Sequence, residues 1–363
     1  MFKALPQSEK KLIKRLKYRK EDIRGPYFRD QTAILHSMAF RRLKHKTQVF
    51  FSPGNDHICT RLEHCLHVAS IAATICKALG LDSELAQAIG LGHDLGHAPF
   101  GHAGEVSLKK FTDGKFHHEL HSLRVVDKIE NHGDGMNLTY AVRDGIVSHC
   151  GEADEQFIEI KKPNELNGIS KLPDAPGTWE GCVVRFCDSI AYLGRDLEDA
   201  ITTKLITADE IPINIQEHLG TTNSQIINTL VYDVIDWSSK NEKIGFSQEK
   251  FELIMDLKKF SRQNIYKNPK LEYWNKYSDF VLESIYQYLN SSFEKNELDF
   301  RAYSQSNNSL DVKFGKYVKS LKKRYDKEGL DQNSIICDYI AGMTDAYAIQ
   351  CFKNILEAVT SGF

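Results

Sequence analysis

Apolar positions recur along most of this chain at steps of three and four residues, the period of a helix with one buried face. In RLEHCLHVASIAATICKALG (Arg61–Gly80), His64, Val68, Ile71, Ile75 and Leu79 form one stripe, which predicts a helix. Asp82 or Ser83 is placed to cap the segment that follows, with Glu84 in its first turn. A further helix is expected from Val183 to Ile201, and CDYIAGMTDAYAIQCFKNILEAV near the end reads as one long buried helix. No alternating strand pattern stands out, apart from a possible short hairpin around Phe50–Asn55. Two stretches read as loops: Gly151 to Gly181, carrying Pro163, Pro173 and Pro176, and the polar Ser304–Ser309. The expected fold class is therefore all-α, one compact unit with a C-terminal helical extension.

Composition adds limits. A hydrophobic share of 41% in 363 residues can furnish a large core, and 47 Lys+Arg against 49 Asp+Glu leaves no charge extreme. No apolar run approaches the roughly 20 residues of a membrane span, and the first residues lack a signal-peptide core, so a cytoplasmic protein is expected. The eight cysteines form no C-x-x-C pair, which suits reduced thiols rather than a disulfide framework. A basic run (Lys10, Lys11, Lys14, Arg15, Lys17, Arg19, Lys20) reads first as a solvated helix face and second as a phosphate- or nucleic-acid-contacting patch. Histidine is distributed unevenly: of 14, all except His218 lie at or before His149, so the first half is where chemistry is expected.

The most informative string is HDLGHAPFGHAGE, His93 to Glu105. Adjacent residues on a regular helix point about 100° apart, so His93 and Asp94 converge on one ion only if a helix ends beside it. His64 lies in an apolar stripe, where a buried imidazole needs partners that a metal can supply. Asp188, Tyr192 and Asp196 fall at successive turns of VVRFCDSIAYLGRDLEDAI, a polar stripe on an otherwise apolar helix. Two imidazoles and two carboxylates make a mixed N/O donor set for one divalent cation, with Mn, Mg, Fe, Zn, Co and Ni all admissible.

These residues resemble the H…HD…D signature of the HD superfamily. The longer strings, AFRRLKHKTQVF (Ala39–Phe50), TRLEH (Thr60–His64), HDLGHAPFGHAGE, DGIVSHCGE (Asp144–Glu152), VVRFCDSIAYLGRDLEDAI and DYIAGMTDAYAI (Asp338–Ile349), are similar to the dGTPase-type deoxynucleoside triphosphate triphosphohydrolases. The similarity runs from about Tyr27 to the end and is weakest between Ile206 and Leu330. It implies an HD-type helical core over residues 27–205, preceded by a basic segment 1–26 and followed by a helical region 206–363 packed on it. It implies metal ligands His64, His93, Asp94 and Asp188, and catalytic His102, Glu105 and His118. On one helical face, Glu105 would orient His102; which of His102 and His118 donates the proton stays open. The expected substrate contacts are Arg61 on phosphate, Tyr192 beneath a deoxyribose, Asp196 on the 3′-hydroxyl, and Gln48 on sugar or base. Arg41, Arg42, Lys44 and Lys46 read first as structural ion-pair partners. His97 is open between a supporting place near the metal and a turn cap, and His45 is unassigned.

The implied substrate is a deoxynucleoside triphosphate, dGTP first, cleaved at the α-phosphorus. The implied partners are further copies of the chain, with single-stranded nucleic acid or a nucleotide as effector, and no membrane. Departures from the family occur at Glu119 and His121, which replace amides of an H-N-x-Q-S pattern, and at Cys65 and His67. Two competing readings are an HD phosphohydrolase for another nucleotide, a nucleotidase or phosphodiesterase, and a nucleic-acid-binding protein with a regulatory HD site.

Overall fold

The computed structural model describes residues 9–51, 55–150, 155–161 and 164–360. Its architecture is all-α. Helix α1 (Pro26–Leu35) leads to α2 (Arg61–Leu79), the stripe helix of the sequence. Thr60 starts α2 with a reciprocal cap: its hydroxyl accepts from the Glu63 N–H, and Glu63 accepts from the Thr60 N–H at 2.7 Å. Gly80, at φ 71°, ends it in the left-handed region. Asp82 then caps α3 (Ser83–Gly92), taking the N–H groups of Glu84 and Leu85. Next come α4 (Gly101–Lys110), α5 (His118–Arg124), α6 (Tyr140–Val147) and α7 (Trp179–Thr202), the last extending the predicted helix at its start. Helices α2, α3 and α7 pack together, and Val68, Ala72, Ile75, Ile89, Val183 and Ile190 fill the space between them.

The second half supplies α8 (Asn223–Asn241), α9 (Gln248–Ser261), α10 (Pro269–Asn296) and α11 (Ser309–Glu328). Apolar residues of α8 and α9, among them Leu230, Val234 and Leu257, share the core of the first half. A second core begins with α10 and includes Phe100, Leu108 and Phe116 from the first half, so α10 lies against α4. That contact brings the C-terminal region to the HDLGH loop.

Three sequence expectations need correction. The single long helix near the end is two, α12 (Gln332–Ala341) and α13 (Asp345–Thr360). The break at Gly342–Thr344 frees buried Asp345, whose carboxylate accepts from the N–H groups of Thr47 and Phe100 at 2.8 Å each. A continuous helix could not reach both backbones. The Ser304–Ser309 loop shrinks to Ser306–Asn308, because Phe300–Gln305 is helical, capped by Asp299, and α11 starts at Ser309. A two-residue antiparallel ladder, Phe157–Ile158 with Ile244–Gly245, went unseen because no period-2 pattern fits in two residues. The tip of the possible Phe50–Asn55 hairpin lies outside the described residues; beside it Thr47 and Thr60 form an antiparallel bridge.

The basic N-terminal run is no long helix face. Only Glu9–Leu12 is helical, and Arg15 is buried, ion-paired with Asp30 and bonded to the carbonyls of Asn137 and Pro26. Lys17 pairs with Asp134 at 3.0 Å. All eight cysteines are unpaired. No described helix is long and apolar enough to cross a membrane.

Candidate active site

His93 lies at the C-terminal end of α3, where helical carbonyls lack intrahelical donors. Its Nδ1 is 2.7 Å from the Gly90 carbonyl, so Nδ1 carries the proton and Nε2 presents a lone pair. Among the described residues this buried Nε2 has no hydrogen-bond partner. It faces Asp94 Oδ2 at 3.5 Å and Asp188 Oδ1 at 3.9 Å. His64, from α2, holds Asp188 Oδ1 at 2.9 Å through Nε2. The helix end does what adjacency alone could not, turning His93 and Asp94 toward one point. The four residues named as metal ligands are therefore brought together.

The electrostatics of this cluster suit a cation. Burial pushes the His93 imidazole down, but Asp94 and Asp188 more than offset it and raise its pKa to about 9. For Asp94 and Asp188 burial acts upward, and the surrounding imidazoles, with Arg61 beside Asp94, still hold both well below the usual carboxylate range. A buried pocket that pulls a proton onto an imidazole in this way fits a divalent metal held by His64, His93, Asp94 and Asp188.

The other oxygen of Asp94 faces a second group of imidazoles. His97 Nε2 lies 3.5 Å from Asp94 Oδ1, His118 Nε2 at 3.8 Å and His149 Nε2 at 3.9 Å. The His97 ring stacks on His118 with centroids 4.0 Å apart. His97 thus stands in the site, and His45 is on the surface away from it. Burial, followed by the Arg61 charge, keeps His97 well below the usual imidazole range.

The expected pairing of Glu105 with His102 is not what forms. Glu105 Oε2 is 2.7 Å from His118 Nδ1, and Lys109 lies 3.0 Å from Oε1. Although both residues are on α4, the Glu105 side chain turns inward to α5, whereas His102 stays exposed at the cavity mouth. Burial acts to lower the His118 pKa, but its bond to Glu105 and the nearby Glu119 give a net rise. His102 moves the other way: desolvation by the surrounding protein acts first, and the His118 and Arg61 charges add to the lowering.

These groups line one end of a cavity of about 460 Å³. At the other end stand Tyr192 and Asp196, one turn apart on α7, with Tyr266 from the second half donating to Asp196 Oδ2 at 2.5 Å. Burial raises the Asp196 pKa to about 7 despite that bond. Lys258 and Arg185 also border the cavity. Gln48 lines it too, with its Oε1 buried and unpartnered among the described residues. Arg61 lines the cavity but is not loose: its guanidinium is ion-paired with Asp94 and reaches the Gln48 carbonyl at 3.4 Å. Lys46 is buried and bonds the carbonyls of His97 and Ala341, a structural use, and Arg42 lies 3.8 Å from Glu130.

The HDLGH loop is clamped from behind. A Cβ on Gly96 would lie 2.1 Å from the Ser122 nitrogen, so only glycine fits there. The Gly96 N–H donates to Ser122 Oγ at 2.8 Å, and its carbonyl accepts from His121 Nδ1 at 2.9 Å. His121 and Arg124 both bond Asp338 of α12. The departure from the family pattern at His121 therefore serves the loop rather than the cavity.

Sequence reasoning gave no role to His149, Cys150, Tyr266 and Lys258. His149 follows the end of α6 and, as His93 does at the end of α3, sets its Nδ1 on the carbonyl three residues earlier, here Ile146 at 2.7 Å. Tyr266 and Lys258 belong to the weakly matched region and carried no motif.

Comparison with known proteins agrees with this construction. Residues 61–193 match the HD domain model, and residues 244–354 match the phosphohydrolase-associated domain model. The chain is 37% identical to a deoxyguanosinetriphosphate triphosphohydrolase-like protein of Caldanaerobacter subterraneus subsp. tengcongensis, over 92% of this chain and 86% of the relative. It is 38% identical to the protein of that description in Clostridium perfringens (strain SM101), covering 92% and 88%. For that of Rickettsia felis the identity is 31%, covering 92% of each chain. The relatives span the second half as well as the HD segment, so the region that supplies Tyr266 is shared with them. An HD hydrolase core of this architecture, matched along nearly its whole length, places the chain in the deoxyguanosinetriphosphate triphosphohydrolase-like family.

Proposed function

We propose that this hydrolase cleaves deoxynucleoside triphosphates, dGTP first among them, between the 5′ oxygen and the α-phosphorus, releasing deoxynucleoside and intact triphosphate. The observation that carries the reading is the polarity of the cavity. One end gathers imidazoles and carboxylates around Asp94, and the other presents Tyr192 beside Asp196. A deoxynucleotide matches this order of chemistry, phosphate at one end and sugar at the other.

His64, His93, Asp94 and Asp188 would hold one divalent cation, which polarises the α-phosphate and acidifies the attacking water when bound. The 5′ alkoxide is a basic leaving group, and proton donation to it is worth roughly 10²–10⁴-fold. His118 suits the donor role, because Glu105 fixes its Nδ1 proton and stabilises the imidazolium, leaving Nε2–H toward the cavity. His102, pushed toward its neutral form, suits orienting water or phosphate at the mouth. The Tyr192 ring offers a face for a deoxyribose. Asp196, once Tyr266 yields one oxygen, accepts a 3′-hydroxyl. The Arg61–Asp94 pair keeps positive charge beside the phosphate end without leaving it free to wander.

The test is product analysis. Metal-supplemented protein is incubated with each dNTP and with GTP, and both products are identified by chromatography. Deoxynucleoside plus tripolyphosphate, with little turnover of GTP, is expected. Orthophosphate or pyrophosphate as the inorganic product would favour a different HD phosphohydrolase and sink this reading.

A further inference from the structure

His118, His149 and Cys150 meet at one point in the cavity wall, and the metal centre above uses none of them. Their donor atoms all lie within 4.8 Å of one another. The proton positions make the cluster unusual. His149 Nδ1 bonds the Ile146 carbonyl at 2.7 Å, and His118 Nδ1 bonds Glu105 at 2.7 Å. Each ring therefore has its Nδ1 held by a partner and turns Nε2 inward, and the two Nε2 atoms face each other at 3.3 Å. A proton on His118 Nε2 bridges the two rings at that distance, and a cation that displaced it would take a lone pair from each. Cys150 Sγ stands 3.6 Å from His118 Nε2 on the same side.

The spacing, which also suits hydrogen bonds, fits a metal. With Zn–N near 2.05 Å, Zn–S near 2.3 Å and tetrahedral angles, ligand atoms should sit about 3.3 Å apart for N···N and about 3.6 Å for N···S. The His118–His149 and Cys150–His118 separations fall at those values, and the Cys150–His149 pair lies within 4.8 Å. Asp94 Oδ1, within 4 Å of both rings, borders the remaining side.

We propose that His118, His149 and Cys150 form a second metal site, selective for a thiophilic divalent cation such as Zn²⁺, whose filling withdraws His118 from proton transfer. The site is separate in donors from the His64, His93, Asp94 and Asp188 set, and the thiolate distinguishes it from a centre for Mg²⁺ or Mn²⁺. Binding expels the Cys150 thiol proton and the proton shared by the two imidazoles, so affinity rises with pH. The inhibitory half of the inference rests on the donor role given to His118; the site itself does not.

Full-length protein stripped of metal is titrated with Co²⁺ and followed by absorption. A thiolate-to-cobalt charge-transfer band in the near ultraviolet is expected, together with a stoichiometry above one, and the band should vanish in Cys150→Ser. In parallel, Zn²⁺ is titrated into Mn²⁺-supported dGTP hydrolysis. Cys150→Ser should raise the half-inhibitory Zn²⁺ concentration by roughly 10–100-fold, at least what loss of an outer partner costs a metal site. A single equivalent of Co²⁺ without a thiolate band, or a band that persists in Cys150→Ser, overturns the site. Equal Zn²⁺ sensitivity of both proteins overturns its inhibitory role. A band in protein that releases no triphosphate would refute the proposed function and leave the site standing.

Discussion

Replacing Glu105 by Gln tests the donor assignment most directly. The glutamine oxygen can still accept from His118 Nδ1, so the ring keeps its orientation and only the negative charge goes. The bond is 2.7 Å long, and both residues are buried. A charge-assisted bond of this kind is worth about 1.5–3 kcal/mol. Lys109 shares the carboxylate at 3.0 Å and weakens its hold on the ring, which favours the lower part of that range. At about 1.4 kcal/mol per unit, the His118 pKa should fall by roughly one to two units. The sign is fixed by the role: a proton donor works below its pKa and fails as pH rises through it. The alkaline limb of the kcat/KM profile should therefore move to lower pH by that amount, with a loss of about 10–100-fold at pH values above the shifted limb. The assay is dGTP hydrolysis across pH with chromatographic detection of the deoxynucleoside. Glu119, 3.4 Å from the same nitrogen, should move the limb less when changed to Gln. A limb that stays in place in Glu105→Gln, while His102→Ala removes it, would refute the reasoning.

Other outcomes follow from the same geometry. Gly96→Ala should destabilise the protein by about 1–3 kcal/mol or more and disturb metal retention, since the new methyl meets the α5 backbone; wild-type thermal stability and metal content would contradict this. Asp94→Asn should abolish stoichiometric metal binding in elemental analysis and, in metal-free protein, cost roughly 3–5 kcal/mol in urea unfolding, because Arg61 is left buried without its counter-charge. An unaltered unfolding midpoint would show that the pair is dispensable. Asp196 is raised from 3.8 to about 7 mainly by burial, so the folded protein takes up a proton between those values and loses stability as pH rises through that window. Asp196→Asn should therefore gain stability relative to wild type at pH 8 compared with pH 5, read from thermal midpoints; an equal difference at both pH values would exclude the shift.

What the chain determines by itself is mostly local. Helix period and the Asp82 cap are set by residues a few positions apart, and those elements form where the pattern puts them; the Thr60–Glu63 cap, seen in the structure, is equally local. The HDLGH string, His64 and the Asp188–Tyr192–Asp196 stripe were equally readable, since each is a short spacing on one element. Contacts across long sequence separations belong to the tertiary structure. Glu105 turns to His118 rather than His102 because the fold brings the start of α5 beside it, which helical spacing cannot reveal. The break at Gly342 makes sense only once Asp345 is seen holding the Thr47 and Phe100 backbones. Tyr266 reaches Asp196, and Cys150 reaches His118, only after separate helices have docked. The physical reason is common to all of these: a side chain's partner is chosen by which surfaces bury together, and burial is a property of the whole chain.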